Sequence, residues 1–379
     1  MDINILNQHF EEHFGASEGR LWMAPGRINL IGEHTDYNGG FVFPGAVRQG
    51  IAAKIRPNGS RQVRLYAADL GCGCAFGLDD AEGPQAAHFR YVYGVCRELM
   101  AAGVAVEGFD AAYMGDVPLG AGMSSSAALE CCFANALNEM CGGGLDRMAL
   151  ARIGQATEHK YVGVMCGIMD QFVSMHGREG SLVRLDCRSG EYEYFPWHPE
   201  GYGLLLVNSC VKHELVGSPY NERRASCERV AALAGVATLR DCTWEMLERV
   251  RPQTSDEDYR RARYVLGEAD RVLAVCDALQ RGDYEQVGRQ MYLTHEGLSR
   301  DYEVSCEEID FLVAEARRLG VTGARIMGGG FGGCTINLVR QELLAPFADE
   351  VQRSYKARFG IACKTIPVVI GPGARELKI

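Results

Sequence analysis

Apolar residues recur at two different spacings along the chain, and the alternation between these spacings predicts an α+β protein. The opening segment NILNQHFEEHFG has apolar residues at helical spacing and ends at Gly15, which predicts a helix with a glycine cap. Short apolar runs separated by turn residues follow in RLWMAPGRINLIG, GFVFPGAVRQGIAAKIRP and RQVRLYAADLG. We expect these runs to form strands, the first of them broken into two at its Pro-Gly pair.

The middle of the chain mixes the two patterns. A helix ending near Gly103 is predicted for FRYVYGVCRELMAAG, a strand for FDAAYMGDVP, and two more helices for SSSAALECCFANALNEM and LDRMALARIGQATEHKYVG. We expect a β-hairpin at GSLVRLDCRSGEYEYFPW and a buried strand at GYGLLLVNS. Helical spacing then dominates from ERRASCERVAALAG to EEIDFLVAEARRLG, while GCTINLV and KTIPVVIG predict two late strands.

The chain is longer than one compact core usually allows. Its 379 residues predict two domains, and the pattern changes from helices to a hairpin near residue 190. We therefore expect an α+β fold with one domain over residues 1–190 and a second over residues 191–379. The segment KTIPVVIG is a candidate to return to the first domain, and no internal repeat is visible.

Composition excludes several functions without changing this fold. A net charge of −10 without a basic run argues against nucleic-acid binding, and no apolar run is long enough to cross a membrane. The acidic start of the chain differs from the basic start of a signal peptide. The fifteen cysteines are scattered and form no CxxC pair, which predicts reduced thiols. We expect a soluble, cytoplasmic protein, and a monomer is compatible with the sequence.

The strongest local signal is GDVPLGAGMSSSAALE (residues 115–130), where glycines and serines link a predicted strand to a predicted helix. Gly120 and Gly122 allow close approach of the backbone to an anion, and the serines lie at the positive end of the helix dipole. The loop has no Walker A lysine, and Ser125 stands where a dinucleotide-binding loop needs a third glycine. A phosphate-binding loop and a purely structural turn both fit these residues.

A cluster of ionisable residues follows an apolar run in GRINLIGEHTDYNGG (residues 26–40). Arg27, Glu33, His34 and Asp36 fall within ten positions. The cluster fits a metal site, a catalytic base with its helpers, a site for a hydroxyl-rich ligand, or a polar turn. Glu33 and His34 are adjacent, so their side chains diverge and would need another residue to complete a zinc site.

Two further segments carry unusual residues. CGIMDQF places Asp170 beside apolar residues, where an unpaired carboxylate is costly, so a capping or ion-paired aspartate and a functional one both fit. RIMGGGFGGCTINL (residues 325–338) contains five glycines, interrupted by Phe331. These glycines allow either a flexible loop that packs on a ligand or tight turns between two strands.

Together these four segments resemble the GHMP kinase superfamily, whose members phosphorylate small hydroxyl compounds with MgATP. The second superfamily motif is similar to PLGAGMSSSA, and the third is similar to RIMGGGFGGCTINL. Within the superfamily, GRINLIGEHTDYNGGFVFP resembles the signature of the galactokinase family, and CGIMDQF resembles its catalytic-aspartate segment. The resemblance spans residues 20–338 in the expected order.

The resemblance implies the two-domain α+β fold of the family. Its N-terminal half would be ribosomal-protein-S5-domain-2-like, its C-terminal half ferredoxin-like, and its active site would lie in the cleft between them. The implied activity is MgATP-dependent phosphorylation of the anomeric hydroxyl of α-D-galactose, which yields galactose 1-phosphate and ADP and begins galactose metabolism. The implied cofactors are ATP and Mg²⁺, and the partners are the small molecules galactose and MgATP.

The resemblance also implies roles for individual residues. Asp170 matches the general base, and Arg27 matches an arginine beside that base that also stabilises charge on the transferred phosphoryl group. Ser126 and Glu158 match the Mg²⁺ ligands. The implied ATP-binding residues are Gly120, Ala121, Gly122, Met123, Ser124, Ser125 and Ser126, and the implied sugar-binding residues are Glu33, His34, Asp36, Tyr220 and Gly167, the last of which would let the sugar ring approach closely.

Some alternatives stay open at this level. Family members bind adenine with residues that precede the phosphate loop, which here include Phe89, Tyr91 and Tyr93, but these aromatics fit a helix core equally well. A kinase for N-acetylgalactosamine or arabinose is a rival within the class, and a non-catalytic galactose sensor is a rival from another class. The chain keeps the loop serines, the matching glutamate and the matching base, which favours the enzyme.

Overall fold

The computed structural model describes residues 1–15, 17–118, 120–212 and 218–378. The helices span Ile3–Phe14 (α1), Ala87–Ala101 (α2), Ser125–Met140 (α3), Arg147–Thr157 (α4), Met169–His176 (α5), Ser218–Ala234 (α6), Trp244–Val250 (α7), Asp256–Gln280 (α8), Tyr284–Arg300 (α9), Glu307–Arg318 (α10) and Leu344–Phe359 (α11). The strands span Arg20–Asn29 (β1), Phe41–Val42 (β2), Pro44–Pro57 (β3), Gln62–Ala67 (β4), Cys72–Gly77 (β5), Phe109–Gly115 (β6), Ser181–Asp186 (β7), Tyr192–Pro196 (β8), Tyr202–Lys212 (β9), Gly323–Met327 (β10), Gly332–Arg340 (β11), Lys364–Pro367 (β12) and Arg375–Leu377 (β13).

The opening helix is confirmed and is capped at both ends. The Asp2 side chain accepts a hydrogen bond from the Asn4 amide, and Gly15 ends the helix at φ +66°, donating its N–H to the Glu11 carbonyl. Glycine reaches this left-handed conformation without the cost that a Cβ imposes. The buried side chains of α1, Leu6 and Phe10, pack on the first sheet.

Six strands form the first sheet, in the order β13-β1-β3-β6-β4-β5. Strands β1, β3 and β6 pair antiparallel, whereas β4 runs parallel to β6. Alternate residues of the strands face opposite sides, so that Leu21 and Ala52 pack under α1 while Trp22 and Ala53 belong to the main core. Helices α3 and α5 pack against β1 and β3 on that second side.

Four strands form a second, fully antiparallel sheet in the order β10-β11-β9-β12. The expected buried strand lies at its centre, and Leu206 and Val207 of β9 have no exposed surface. Helix α10 packs against β9, β10 and β11, and α11 packs against β12. The expected hairpin is also present, because β7 and β8 pair antiparallel and are joined by β2 in a three-stranded sheet.

A continuous apolar cluster joins the two halves. It contains Ile28 and Leu30 from the end of β1, Val272 from α8 and Ile336 from β11. The polar residues that follow β1 are therefore held against the second half of the chain, where they face the segment after β10.

The predicted break at the Pro-Gly pair of the first strand is wrong. β1 runs without interruption through Pro25 and Gly26, with only a shift of register between Pro25 and Arg27. The physical reason is that β13 pairs with β1 only from Leu21 to Met23, so Pro25 lies where β1 has a single partner. The missing N–H of proline costs little at such an edge position.

The segment KTIPVVIG divides between the two sheets. Its first four residues form β12 and pair with β9 in the second sheet, whereas Ile370 near its end bridges Val47 of β3. The chain then continues into β13, which pairs with β1. The strand that returns to the first sheet is thus Arg375–Leu377.

Two further observations concern membrane-spanning helices and the cysteines. In the part of the chain that the structure describes, no helix is both long and apolar enough to span a membrane. All fifteen cysteines lie within the described residues and are free thiols.

Candidate active site

The predicted site residues converge on one cleft between the two sheets, with a volume of about 370 Å³. They come from the end of β1, the loop before α3, the end of α4, the start of α5 and α6, and they face the glycine-rich segment after β10. Every predicted residue lines this cleft: Arg27, Glu33, His34, Asp36, Gly120, Ala121, Gly122, Met123, Ser124, Ser125, Ser126, Glu158, Gly167, Asp170 and Tyr220.

Asp170 is held by two partners in the middle of the cleft. It lies in the first turn of α5, and Arg27 forms a two-pronged ion pair with it, from Nε to Oδ1 and from Nη2 to Oδ2, both at 2.8 Å. The Ser124 hydroxyl donates a hydrogen bond to Oδ2. Arg27 is almost fully buried, at 4% exposure, so its charge is fixed beside the carboxylate.

The loop before α3 needs residues that tolerate positive φ. Gly120, Gly122 and Ser124 have φ values of +72°, +66° and +57°. Ser124 is the residue before the helix, where a serine usually caps the helix with its hydroxyl. Here the Ser124 hydroxyl makes no cap and is turned to Asp170 instead. The start of α3, where Ser125 and Ser126 line the cleft, therefore lies next to Asp170, and helix starts of this kind bind anions.

This loop is pinned from both sides of the cleft. The Arg27 amide donates to the Met123 carbonyl at 3.0 Å, and its Nη1 donates to the Gly122 carbonyl. On the other side, a Cβ on Gly122 would lie 3.0 Å from the Met327 carbonyl oxygen. Only a bare backbone at Gly122 lets the end of β10 approach this closely, and together these contacts fix the position of the loop.

Glu33 is a buried carboxylate with one oxygen already engaged. Its Oε1 accepts hydrogen bonds from Arg325 Nη1 at 3.1 Å and from the Gly328 amide at 2.9 Å. The Tyr264 hydroxyl donates to the Glu33 carbonyl at 3.0 Å. Donors from the second half of the chain thus engage one oxygen of the Glu33 carboxylate and fix its orientation.

His34 adopts φ +61°, an uncommon conformation for a non-glycine residue. Its Nδ1 is hydrogen-bonded to the Tyr37 hydroxyl at 2.8 Å, and that hydroxyl meets the Tyr302 hydroxyl at 2.7 Å. Nε2 is buried without a hydrogen-bond partner among the described residues. Burial, followed by the charge of Arg223, lowers the pKa of His34 to about 3, so the ring is a neutral hydrogen-bonding group.

Asp36 occupies the space that a side chain at position 167 would fill. A Cβ added to Gly167 would lie 1.9 Å from Asp36 Oδ2. The missing side chain of Gly167 thus makes room for the Asp36 carboxylate, and the approach of a sugar ring to Gly167 stays a prediction. Burial and the neighbouring charge of Asp170 raise the pKa of Asp36 to about 7.

Glu158 follows α4 at the start of a π-helical turn, Glu158–Val162. Such turns often occur at functional sites, and nothing in the residue pattern predicted this one. Burial raises the pKa of Glu158 to about 7, while the adjacent Ser126 hydroxyl lowers it. The fully buried Glu130 lies beside Glu158 and accepts a hydrogen bond from Gln171 at 3.0 Å.

The residues around Ser126 and Glu158 fit a magnesium ion. A hydroxyl and carboxylates are the hard oxygen ligands that Mg²⁺ prefers. Three carboxyl groups, those of Glu130, Glu158 and Asp170, also lie near one another. Burial raises the pKa of Glu130, and the charges of Glu158 and Asp170 raise it further. A divalent cation would relieve that repulsion.

The aromatic residues before the phosphate loop separate into two groups. Phe89 and Tyr93 are each 3% exposed and belong to the main core, whereas Tyr91 lines the cleft near Ser126. In the third motif, Phe331 has φ +60° and lies under the Arg223 guanidinium at 5.3 Å. Phe331 is therefore held on the second half of the chain.

Three residues that shape the site were missed in the sequence. Arg325 lies within the quoted third motif, where a charge inside a buried strand was a usable signal. Glu130 follows the phosphate loop in a buried helix, where a lone carboxylate is equally unusual. Tyr302 lies in the segment between residues 235 and 305 that carried no motif, and nothing in its surroundings indicated a role.

The raised pKa of Asp36 predicts a pH-dependent stability. A carboxyl with a higher pKa in the folded state stabilises the fold fully below its ordinary pKa of 3.8, and this stabilisation is lost as pH rises through about 7. We expect Asp36→Asn to remove this loss. The unfolding free energy of the variant minus that of the wild type should then increase by up to about 1.4 kcal/mol per pH unit between about pH 5 and pH 7. Urea unfolding of both proteins without ligands measures the difference, and parallel pH profiles would contradict it.

Three segments of the chain match known families. Residues 8–57 match the galactose-binding signature of galactokinases, residues 90–178 match the N-terminal domain of GHMP kinases, and residues 276–357 match their C-terminal domain. The galactokinase of Exiguobacterium sibiricum is 40% identical and is aligned over 100% of this chain and 99% of its own length. The human galactokinase is 40% identical over 91% of this chain and 90% of its own length.

Solved structures show the same relationship. The galactokinase of Lactococcus lactis, crystallised with galactose, superposes with a TM-score of 0.95 at 32% identity, covering 99% of this chain and 100% of that one. The mevalonate kinase of Methanococcus jannaschii shares the fold, with a TM-score of 0.68 at 16% identity, over 93% of this chain and 99% of its own. The chain has the two-domain α+β fold of the GHMP kinases and belongs to the galactokinase family.

Proposed function

We propose that the protein transfers the γ-phosphoryl group of MgATP to the anomeric hydroxyl of α-D-galactose, giving α-D-galactose 1-phosphate and ADP. The observation that carries this proposal is the position of Asp170. Its carboxylate is held by Arg27 from the sugar signature and by Ser124 from the phosphate loop, at the point where the two segments meet. A base at this junction would lie between a sugar hydroxyl bound on one side and a phosphate bound on the other.

Asp170 acts on the sugar hydroxyl in this proposal. Phosphoryl transfer needs an oriented nucleophile and compensation of the charge on the transferred group. Asp170 accepts the proton of the anomeric hydroxyl, and the buried guanidinium of Arg27 stays beside the reacting oxygens to stabilise their charge. The two-pronged ion pair fixes the carboxylate in one orientation, which reduces the reorganisation needed at the moment of transfer.

The loop from Gly120 to Ser126 holds the phosphates. Its glycines, with positive φ and no side chains, allow the backbone to approach an anion closely, and the start of α3 presents the positive end of the helix dipole to it. We assign Ser126 and Glu158 as the ligands of Mg²⁺, which neutralises phosphate charge when bound. Tyr91 lines the same end of the cleft and is our candidate for a nucleotide contact.

Glu33, His34, Asp36 and Tyr220 form the sugar edge of the cleft. Two carboxylates and a neutral imidazole offer acceptors and donors at fixed positions, which discrimination between epimeric hydroxyls requires. The ring of Tyr220 lies 5.5 Å from that of His34 and contributes from the second half of the chain. We infer that galactose binds here, with its anomeric hydroxyl toward Asp170.

We assign residues 1–190 to an N-terminal domain of the ribosomal-protein-S5-domain-2-like type and residues 191–379 to a ferredoxin-like domain, whose last strand, β13, returns to the first sheet. The strand order of the second sheet supports the latter assignment. The four strands follow one another along the chain as β9, β10, β11 and β12, but they lie side by side in the order β10-β11-β9-β12. Helices precede β10 and β12, whereas β10 and β11 follow each other without a helix between them. This is the split βαβ arrangement. We also infer a cytoplasmic location from the fifteen free thiols, which a reducing compartment maintains.

The experiment that tests the function measures ADP release from ATP with galactose, glucose, N-acetylgalactosamine and arabinose as separate acceptors. We expect turnover with galactose in the presence of Mg²⁺ and its loss when a chelator removes the metal. Turnover with another sugar in preference to galactose would assign a related kinase. Binding of galactose and ATP without ADP release would assign a sensor.

A further inference from the structure

A fully buried arginine lies directly behind the sugar edge. Arg325 is at the centre of β10 and has no exposed surface. Its Nε donates to the Leu30 carbonyl at 2.9 Å, its Nη1 to the Ile326 carbonyl at 2.6 Å, and its Nη2 to the Asn29 carbonyl. The guanidinium from the second sheet thus holds the end of β1, from which the sugar-binding segment starts.

The fourth contact of this guanidinium is the carboxylate of Glu33. Nη1 of Arg325 and the backbone amide of Gly328 both donate to Oε1 of Glu33, at 3.1 and 2.9 Å. The other oxygen, Oε2, accepts no hydrogen bond from the described residues, although Glu33 is only 2% exposed and lines the cleft. The two carboxylate oxygens therefore differ: one is saturated by protein donors and the other is available.

We propose that Arg325 is a positioning residue that sets sugar specificity: with the Gly328 amide it fixes Oε1 of Glu33, so that Oε2 alone is presented to a galactose hydroxyl. The proposal rests on the sugar site described under the proposed function and adds to it the residue that orients Glu33. Arg325 acts through Glu33 and does not itself touch the sugar.

Fixing one oxygen matters because a carboxylate that is free to rotate can accept hydrogen bonds from hydroxyl groups in many directions. A single acceptor at a fixed position forms a hydrogen bond with one particular hydroxyl. When that hydroxyl is absent or inverted, the buried acceptor is left unpaired, which weakens binding. The buried charge of Glu33 also needs a partner of opposite charge. Among the residues that the structure describes, Arg325 forms an ion pair with it.

The same contact connects the sugar edge to the phosphate loop. Gly328, whose amide binds Glu33, has φ +86°, and a Cβ on it would lie 3.2 Å from the carbonyl oxygen of Gly122. The third motif is therefore placed between Glu33 and the phosphate loop, and its glycines permit both contacts. This assigns a purpose to the first glycine of the motif.

The first test is Arg325→Lys with Arg261→Lys as its matched control. Arg261 is also a buried arginine, 4% exposed and paired with Glu257, but it lies on α8 away from the cleft. We expect R325K to raise the KM for galactose roughly tenfold or more, as loss of a charged hydrogen bond does, with the KM for ATP within about twofold of wild type. R261K should change neither constant.

The second test is Glu33→Gln, which keeps the shape of the side chain. If Arg325 and Gly328 hold Oε1, they hold the amide oxygen there and turn the NH₂ group to the sugar, so the acceptor for the hydroxyl is lost. We expect the KM for galactose to rise roughly tenfold or more. A panel of monodeoxygalactoses should show that wild type penalises removal of one hydroxyl much more than E33Q and R325K do.

The outcomes separate this inference from the proposed function. No galactose-dependent ADP release by wild type would remove the proposed function itself. Active wild type, with a KM for galactose within about threefold of wild type in E33Q, would overturn the positioning role, because the amide would then be free to turn its oxygen to the sugar. Equal increases of both KM values in a folded R325K would mean a structural role only, and would also overturn it. If R325K does not fold, E33Q decides alone.

Discussion

Asp170→Asn is expected to lower kcat by roughly 10²–10⁴-fold, the usual contribution of a positioned general base, while galactose still binds. The asparagine side chain has the same shape and keeps one oxygen for Arg27 or Ser124, so the geometry of the cleft should survive. Its amide cannot accept the proton of the anomeric hydroxyl. The loss should therefore fall on kcat, with little change in the dissociation constant of galactose.

The measurement is steady-state ADP release together with calorimetric titration of galactose. Asp301→Asn is the matched control, because Asp301 is also a partly buried aspartate paired with an arginine, Arg263, at 2.6 Å, outside the cleft. The control should keep wild-type kcat. A near-normal kcat in D170N would exclude Asp170 as the base, and loss of galactose binding would mean that the carboxylate serves the sugar site rather than proton transfer.

The parts of the site that the sequence predicted are those built from contiguous residues. The glycines and serines at residues 120–126 connect β6 to α3. Gly120 and Gly122 adopt positive φ, and glycine is the residue type that does so without steric cost, so the residue types themselves indicated this loop. The ionisable cluster after β1 also follows from local order, because the apolar residues before it must enter the core. Local chemistry was therefore a sufficient guide to which segments matter.

The contacts that give these residues their geometry join distant parts of the chain, and no spacing rule predicts them. Glu33 meets Arg325 across 292 positions, and Arg27 meets Asp170 across 143. Ser124 is one of the predicted ATP-binding residues, and the structure adds a contact that the sequence did not predict, from its hydroxyl to Asp170. Tertiary packing determines these pairs: α5 packs on β1 and α3, which brings Asp170 to Arg27 and Ser124, and the approach of the two sheets brings Arg325 to Glu33.

The strand break predicted at Pro25 failed for a related reason. Proline and glycine normally interrupt a strand, because proline lacks a donor and glycine weakens the pairing. β1 continues because its pairing with β13 ends at Met23, so Pro25 needs no donor on that side. Gly26 also leaves room for the Met123 carbonyl oxygen, which lies 2.6 Å from where a Cβ of Gly26 would be. Local propensity was overridden by a tertiary contact of the phosphate loop, and Arg27 is carried to Asp170 as a result.

Gly167→Ala is expected to lower kcat/KM for galactose roughly 100-fold, because a displacement of about 1 Å at a reacting site can cost that much. The new Cβ would lie 1.9 Å from Oδ2 and 2.0 Å from Cγ of Asp36, so the carboxylate must leave its place. The space cannot be shared, because Asp36 follows the constrained His34 and is itself bound to the Tyr37 amide at 2.9 Å. The loss should therefore appear mainly in the KM for galactose, with that for ATP much less affected.

Gly267→Ala is the control for this substitution. Gly267 lies inside α8, and the atoms nearest to an added Cβ belong to the flexible end of the Arg271 side chain, the closest at 3.0 Å. Alanine favours a helix there, so activity and stability should be kept. If G167A retained wild-type kcat/KM, Asp36 could not be a sugar contact at the position it holds in the structure. If the KM for galactose rose and Asp36→Ala combined with G167A caused no further loss, both changes would act through the same carboxylate, as the contact between them requires.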